Sequence, residues 1–266
     1  MRCTASDGVR CAAQVTGTAA TTLLFVHGAG STAAIWDPQF GALGGRFRCA
    51  AVELRGNGVA PLPIKLSSIS REGFARDCLA VADALSVERF HLVGCSLGGV
   101  VGLELWRMAP RRLASLTLLD SFACYPDGEA VAERIVGAVL EAPSLIAFAE
   151  ERSSYLLPPG ARSHRRTETV QQMARKDRRA YARSIVAAWT GDYRAMLPEI
   201  VVPALVLWGQ HDIVTPWPLS QELAAAIPGA HLLEVPDAGH VSNADAPEFV
   251  NAALEAFVAA VANGAR

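Results

Sequence analysis

No run of about 18 uninterrupted apolar residues occurs, so no bilayer-spanning helix is expected. The first residues, Met-Arg-Cys-Thr-Ala-Ser-Asp, lack the apolar stretch of a signal peptide, and a cytoplasmic location is the expectation. Six cysteines (Cys3, Cys11, Cys49, Cys78, Cys95, Cys124) are scattered and form no Cys-x-x-Cys pair. That argues against a disulfide frame or a zinc site and for reduced thiols. The formal charge is only −2, so no global field points to nucleic acid. Internal repeats and low-complexity tracts are also missing.

What is present is apolar and orderly. The chain has 266 residues and is 51% hydrophobic, enough for one large domain or a domain with an insertion. Short, nearly unbroken apolar runs bounded by Gly, Asp or Pro read as strands covered on both faces. They are Leu23–Val26, Phe47–Leu54, Phe90–Val93, Leu116–Leu119, Ala204–Trp208 and Ala230–Val235, with Val9–Val15 starting an antiparallel edge. Helical patterns lie between them at Arg71–Leu85, Leu97–Met108, Pro218–Ile227 and Pro247–Val261. This alternation predicts an α/β fold: a mostly parallel, doubly wound sheet.

From Cys124 to Arg194 the alternation stops. Helices are expected there, with no strand, punctuated by Pro143, Pro158-Pro159-Gly160 and Pro198. From Arg152 to Arg194 there are ten Lys/Arg against three Asp/Glu, leaving 14 basic and 23 acidic residues elsewhere. The expectation is a core of residues 1–123 and 195–266 with a basic helical cap, residues 124–194, over the strand ends.

The chemistry starts at Gly94-Cys95-Ser96-Leu97-Gly98, between an apolar strand and a helix. A serine there sits on a turn so tight that a Cβ on Gly94 or Gly98 would collide. Its hydroxyl is pushed out of the sheet edge, as a nucleophile requires. Cys95 is expected to point the other way, into packing. A serine needs a base, and the base an orienter. Of six histidines, His240 lies just past the last strand, where loops of parallel sheets gather sites. Asp212, also after a strand, is favoured as orienter over Asp120 and Asp237, with Asp120 supporting the site from behind. The oxyanion needs fixed N–H donors. Leu97, at the helix start, supplies one, and Ala29 in His27-Gly28-Ala29-Gly30 the other. His27 reads as a structural pin for that loop. Phe122, Trp189 and Trp217, near strand ends, are expected to line an apolar pocket.

Together these residues resemble the α/β-hydrolase family. The order Ser96, Asp212, His240, the His-Gly-x-Gly after the third strand, Trp36, and Arg55-Gly56 after the fourth carry the likeness over nearly the whole chain outside the cap. One loop departs: Glu53-Leu54-Arg55-Gly56-Asn57-Gly58 stands where the family has Asp-x-Arg-Gly-His-Gly. Trp36-Asp37-Pro38-Gln39, Gly209-Gln210-His211-Asp212 and His240-Val241-Ser242-Asn243 look most like the 3-oxoadipate enol-lactonase and small carboxylesterase group. The resemblance implies a serine hydrolase of carboxylic esters or lactones, working through an acyl-enzyme with no cofactor or metal on a small-molecule substrate. Serine at position 96 favours acyl chemistry over the dehalogenases and epoxide hydrolases, which use aspartate. Carbon–carbon bond hydrolysis, lyase chemistry and cofactor-free perhydrolysis share the triad, and a non-catalytic receptor would share the pocket. Oligomeric state is open, with a homodimer as one outcome. The lactonase resemblance also implies that the excess of arginine in the cap draws in a carboxylated substrate, provided that one arginine points into the pocket.

Overall fold

The computed structural model describes residues 1–264. Eight strands form one sheet: β1 (Arg2–Thr4), β2 (Arg10–Thr16), β3 (Thr22–Val26), β4 (Arg48–Glu53), β5 (Phe90–Cys95), β6 (Leu113–Leu119), β7 (Ala204–Gly209) and β8 (His231–Val235). Their spatial order is β1-β2-β4-β3-β5-β6-β7-β8. β1 and β2 run antiparallel to each other, and β2 antiparallel to β4, while every later pair is parallel. The antiparallel strand expected from Val9 is thus present, but it is not the edge. β1 lies outside it, a three-residue strand too short to read from the sequence.

The apolar runs become strands because both faces are covered. Leu24, Val26, Ala50, Val52 and Leu92 join one apolar cluster, and their neighbours Leu23, Phe25, Cys49, Ala51 and Val93 join the other. Residues of α2 (Arg71–Ala84) and α3 (Leu97–Met108) complete the first cluster. α1 (Asp37–Leu43) and the C-terminal helix Pro247–Ala262 complete the second. Fully burying one such side chain is worth about 1.5–3 kcal/mol. Local signals set helix starts: Ser70 Oγ accepts from Gly73 N at 3.1 Å to cap α2.

Between β6 and β7 the chain forms four helices and no strand: α4 (Gly128–Glu141), α5 (Leu145–Leu156), α6 (Ser163–Ala174) and α7 (Arg178–Trp189). An isolated antiparallel bridge, Cys124 to Asp192, ties the two ends of this insertion. Ser144 caps α5 and Asp177 caps α7, each accepting backbone N–H groups. Beyond β7 come α8 (Trp217–Ala226), α9 (Ser242–Asp245) and α10 (Pro247–Ala262). Among the described residues, no helix is long and apolar enough to cross a membrane. No group of three or more His, Cys, Asp or Glu is arranged to hold a metal ion among them.

Candidate active site

β5 ends at Cys95 and α3 begins at Leu97, so Ser96 alone makes the turn. It does so at φ 54° and ψ −119°, a conformation that costs a non-glycine residue about 1–3 kcal/mol. The neighbours hold the strain in place. Ser96 N donates to Leu119 O at 2.9 Å, and Ser121 Oγ donates to Ser96 O at 2.9 Å. A Cβ on Gly94 would lie 2.3 Å from Gly98 O, and one on Gly98 would lie 2.0 Å from Val26 O. The two glycines therefore let α3 close onto both β5 and β3. Cys95 turns into the second apolar cluster, its thiol pushed up by burial and by the carboxylates of Asp120, Asp212 and Asp245. It is a packed thiol and not a reactive one.

His240 and Asp212 reach Ser96 from two later loops. His240 Nε2 lies 2.9 Å from Ser96 Oγ, and His240 Nδ1 lies 2.9 Å from Asp212 Oδ2. With Asp212 ionised, Nδ1–H donates to it and Nε2 is left to accept from the serine hydroxyl. Burial works against charging His240, but the Asp212 carboxylate outweighs it and raises the imidazole above its usual value. Asp212 Oδ1 accepts from Val214 N at 2.8 Å and Thr215 N at 3.0 Å, and Oδ2 also accepts from Thr215 Oγ1. The aspartate is thus fixed by its own loop. The Asp-x-Val-Thr spacing, whose amides fold back on the carboxylate, was the sequence signal for Thr215.

The rival acids have other places. Asp120 is fully buried and accepts from Gly209 N at 2.9 Å and Ser242 N at 2.9 Å. It fastens the start of the Asp212 loop to the loop that follows His240. Burial and the nearby Asp212 push it up to about 7. Asp237 is exposed, and its amide donates to Gln210 Oε1.

The Ala29 and Leu97 amides have no backbone acceptor among the described residues. Both adjoin the serine: Leu97 follows it in the chain, and a Cβ on Gly28 would lie 3.2 Å from Ser96 Cβ. His27 holds the Ala29 loop. Its Nδ1 contacts Gly28 O at 2.8 Å and its Nε2 accepts from Leu54 N at 3.3 Å, which fits a neutral ring. Burial lowers His27 to about 3, with the Lys176 charge assisting.

That loop is tied from above as well. Lys176, in the turn between α6 and α7, is 8% exposed. Its Nζ donates to Ser31 O at 2.6 Å and to Asn57 Oδ1 at 2.8 Å. Ser31 Oγ donates to Gln172 Oε1 at 3.1 Å. Burial lowers Lys176 to about 8, against a smaller opposing pull from Glu53. The departures in the Glu53–Gly58 loop now have a geometry. Asn57 supplies an acceptor for a buried lysine, where a histidine would compete as a cation. Glu53 accepts from Ala33 N and from Val59 N.

A cleft runs over Ser96, Cys95 and His240. Its walls include Gly28, Ala29, Gly30, Ile35, Leu156, Met173, Tyr181, Ile185 and Trp189, with Arg152 among them. Trp189 therefore lines the cleft as expected, while its indole N–H has no acceptor. Phe122 does not line it. Phe122 is 1% exposed and stacks behind Trp189, ring centroids 5.1 Å apart and 9° from parallel, so it braces the wall. Trp217 is also absent from it. It opens α8 and packs on Trp208, with centroids 4.9 Å apart, in a separate cleft bordered by Pro158 and Pro159. Trp208 precedes Gly209 in β7 and draws Trp217 to the outer side of Asp212, away from the serine. Arg152, Lys176 and Thr215 are among the site residues the sequence did not single out.

The profile of the "Alpha/beta hydrolase family" matches residues 23–253. "Putative carbamate hydrolase RutD" of Variovorax paradoxus (strain S110) is 32% identical over 249 residues, spanning 90% of this chain and 92% of the relative. A solved hydrolase from Pseudomonas aeruginosa PA01 is 31% identical, covers 97% of each chain and gives a TM-score of 0.89. The enol-lactonase from Burkholderia xenovorans LB400 is 26% identical, with a TM-score of 0.88 over 97% of this chain and 100% of that one.

Proposed function

The chain belongs to the alpha/beta hydrolase family and is a hydrolytic enzyme, and from that premise we propose that it cleaves carboxylic esters or lactones of small molecules in the cytoplasm through an acyl-enzyme. The observation that carries this reading is the continuous Asp212–His240–Ser96 chain, 2.9 Å at each link, beside two amides without acceptors. The lactonase among the structural relatives supports the bond type. A carbamate, the bond in the name of the 32% identical relative, presents the same kind of carbonyl carbon and belongs in the same assay panel.

Ser96 Oγ attacks the carbonyl carbon as its proton passes to His240 Nε2. The new C–O bond leaves charge on the carbonyl oxygen, which accepts from the Ala29 and Leu97 N–H groups. The dipole of α3 favours negative charge at its N-terminus. The imidazolium, steadied by Asp212, then gives its proton to the leaving alkoxide oxygen as that bond breaks. Water enters, loses a proton to Nε2 and attacks the acyl-enzyme. The second tetrahedral adduct collapses, Ser96 recovers its proton and the carboxylic acid departs. In a lactone the alcohol stays tethered to the product. The four helices between β6 and β7 act as a cap that bounds the acyl pocket.

A panel of esters, lactones and carbamates, with Ser96→Ala as control, tests the proposal. Turnover in the parent and a loss of kcat/KM by roughly 10³-fold or more in the variant is the expected result. Fluorophosphonate labelling should add mass at Ser96 alone. Undiminished turnover in Ser96→Ala would overturn it.

A further inference from the structure

The corner where α6 (Ser163–Ala174) meets α7 (Arg178–Trp189) sits directly on two loops of the sheet. Two glycines mark how closely. Gly30 has φ +83°, and a Cβ there would lie 3.0 Å from both Met173 Cε and Tyr181 Cε2. Gly56 has φ +77°, and a Cβ there would lie 3.2 Å from Ala180 Cβ. Lys176 reaches the residue after each glycine: its Nζ donates to Ser31 O at 2.6 Å and to Asn57 Oδ1 at 2.8 Å.

Of the basic side chains between β6 and β7, Lys176 alone is buried. Among the described residues, no carboxylate lies within 4 Å of it. Glu53, the acid whose charge reaches it, is bound by Ala33 N and Val59 N. A buried ammonium without an acidic partner costs stability, so an apolar residue would serve packing better. What the ammonium adds is a fixed place for two oxygens. Ser31 O ends the turn that carries the Ala29 N–H, and Ser31 N closes that turn by donating to Gly28 O at 3.2 Å. His27, which accepts from Leu54 N, pins the start of the turn, and Lys176 pins its end.

We propose that Lys176 is a positioning residue: by joining Ser31 O to Asn57 it holds the Ala29 N–H beside Ser96, so that the oxyanion site is complete only while the α6–α7 corner is seated. This rests on the serine-hydrolase reading and deepens it. Charge builds on the carbonyl oxygen only in the transition state, so the effect belongs to kcat, in acylation and deacylation alike and whatever the acyl group. Burial lowers Lys176 to about 8. A neutral amine keeps N–H donors but loses the charge assistance that strengthens their bonds. The groups facing it are Glu53, whose charge favours the ammonium, and His27, which burial keeps neutral. Its chain neighbours are the exposed Arg175 and Asp177, which caps α7.

The test follows kcat and KM for one neutral ester across pH. In the wild-type enzyme, kcat should fall several-fold on the alkaline side of a pKa near 8. Lys176→Met should lower kcat by about tenfold at neutral pH with KM within about twofold, and should lack the alkaline limb. It should weaken a boronic acid, which mimics the tetrahedral adduct on Ser96, by about the same factor as kcat. Asn57→Asp puts a carboxylate beside the ammonium and should move the limb up by at least about one pH unit. An unchanged kcat in Lys176→Met, a loss carried by KM alone, or a limb that stays in place in both variants would overturn the proposal. If Lys176→Met does not fold, the wild-type limb and its displacement in Asn57→Asp decide the matter. The readouts separate the two levels. Ser96-dependent turnover with any of those adverse results sinks the Lys176 role alone, whereas no Ser96-dependent turnover sinks the hydrolase reading first.

Discussion

Ser96 follows β5 by one residue, Asp212 follows β7 by three and His240 follows β8 by five. Arg152 sits in α5 and Lys176 in the turn between α6 and α7, with no strand to count from. In the sheet, each side chain of the proposed triad follows a strand end whose direction is fixed by hydrogen bonds to its neighbours. In the insertion, a side chain reaches the site only through the packing of the four helices on one another and of α7 on α3. On the proposed function, the sheet would set what reaction is run, and the insertion which molecules are admitted to it. Apolar packing alone does not separate the two regions. Val139, Phe148, Leu156 and Tyr181 of the insertion share one apolar cluster with Leu24 and Val26 of the sheet. Polar ties differ more: the insertion meets the rest of the site through Lys176, Gln172, Arg165 and the main chain at Leu156.

The sharpest break in this division should come from Asp212→Asn. The amide oxygen keeps the Val214 and Thr215 N–H groups, leaving its NH2 to face His240 Nδ1. The ring must then carry its proton on Nε2, where it cannot accept from Ser96. A loss of about 10⁴ in kcat with the melting temperature nearly unmoved is expected from steady-state kinetics and calorimetry. The pH profile gives a second readout. Because Asp212 raises His240, the parent loses kcat/KM as pH falls through a pKa above the usual histidine value. Without that carboxylate the remaining activity should lose its acid limb only at lower pH.

Stability is the next probe. Leu24→Ala in β3 and Leu156→Ala in α5 remove the same atoms from the two regions. Both should cost about 2–5 kcal/mol in urea unfolding, with Leu24 toward the top of that range. Leu24 is sealed at 0% exposure, whereas Leu156 borders the cleft, which relieves the cavity. Equal costs would mean that the cleft wall is as rigid as the sheet.

The smallest effect expected is that of Lys176→Met, and it joins the two regions. Losing its bonds to Ser31 and Asn57 frees the loop that carries the Ala29 amide, and kcat should fall by roughly tenfold. The sign of the stability change is set by proton linkage. Lys176 stands at about 8 when folded, below its ordinary value of 10.5, so between those limits the unfolded chain binds more protons. The lysine therefore makes stability rise with pH in that window, by roughly 1–3 kcal/mol. Lys176→Met should flatten the rise relative to the parent, measured as unfolding free energy at pH 7, 9 and 10.

These contrasts also explain what was legible. Strand runs such as Leu23–Val26 and Ala204–Trp208 could be placed because burial on both faces leaves an unbroken apolar signature. Ser96 and His240 could be named because glycine-lined turns at strand ends leave few residues to choose from. β1 is not legible because three residues carry no pattern. Trp217 lies outside the serine cleft because nearness to a strand end in sequence does not say on which side of Asp212 a helix starts. Arg152 is one of ten basic residues in its stretch, and only docking makes it different from the other nine.

One main-chain contact has a consequence for anyone who would exchange the cap. His240 N donates to Leu156 O at 2.9 Å, so the end of α5 holds the backbone of the proposed base. The acceptor is a carbonyl, which every residue possesses, and the identity of residue 156 is irrelevant to it. What a transplanted cap must reproduce is register: a helix that ends with an oxygen at that height above the sheet. Grafts one residue too long or too short should perturb turnover of every substrate alike, while grafts in register are free to rewrite specificity.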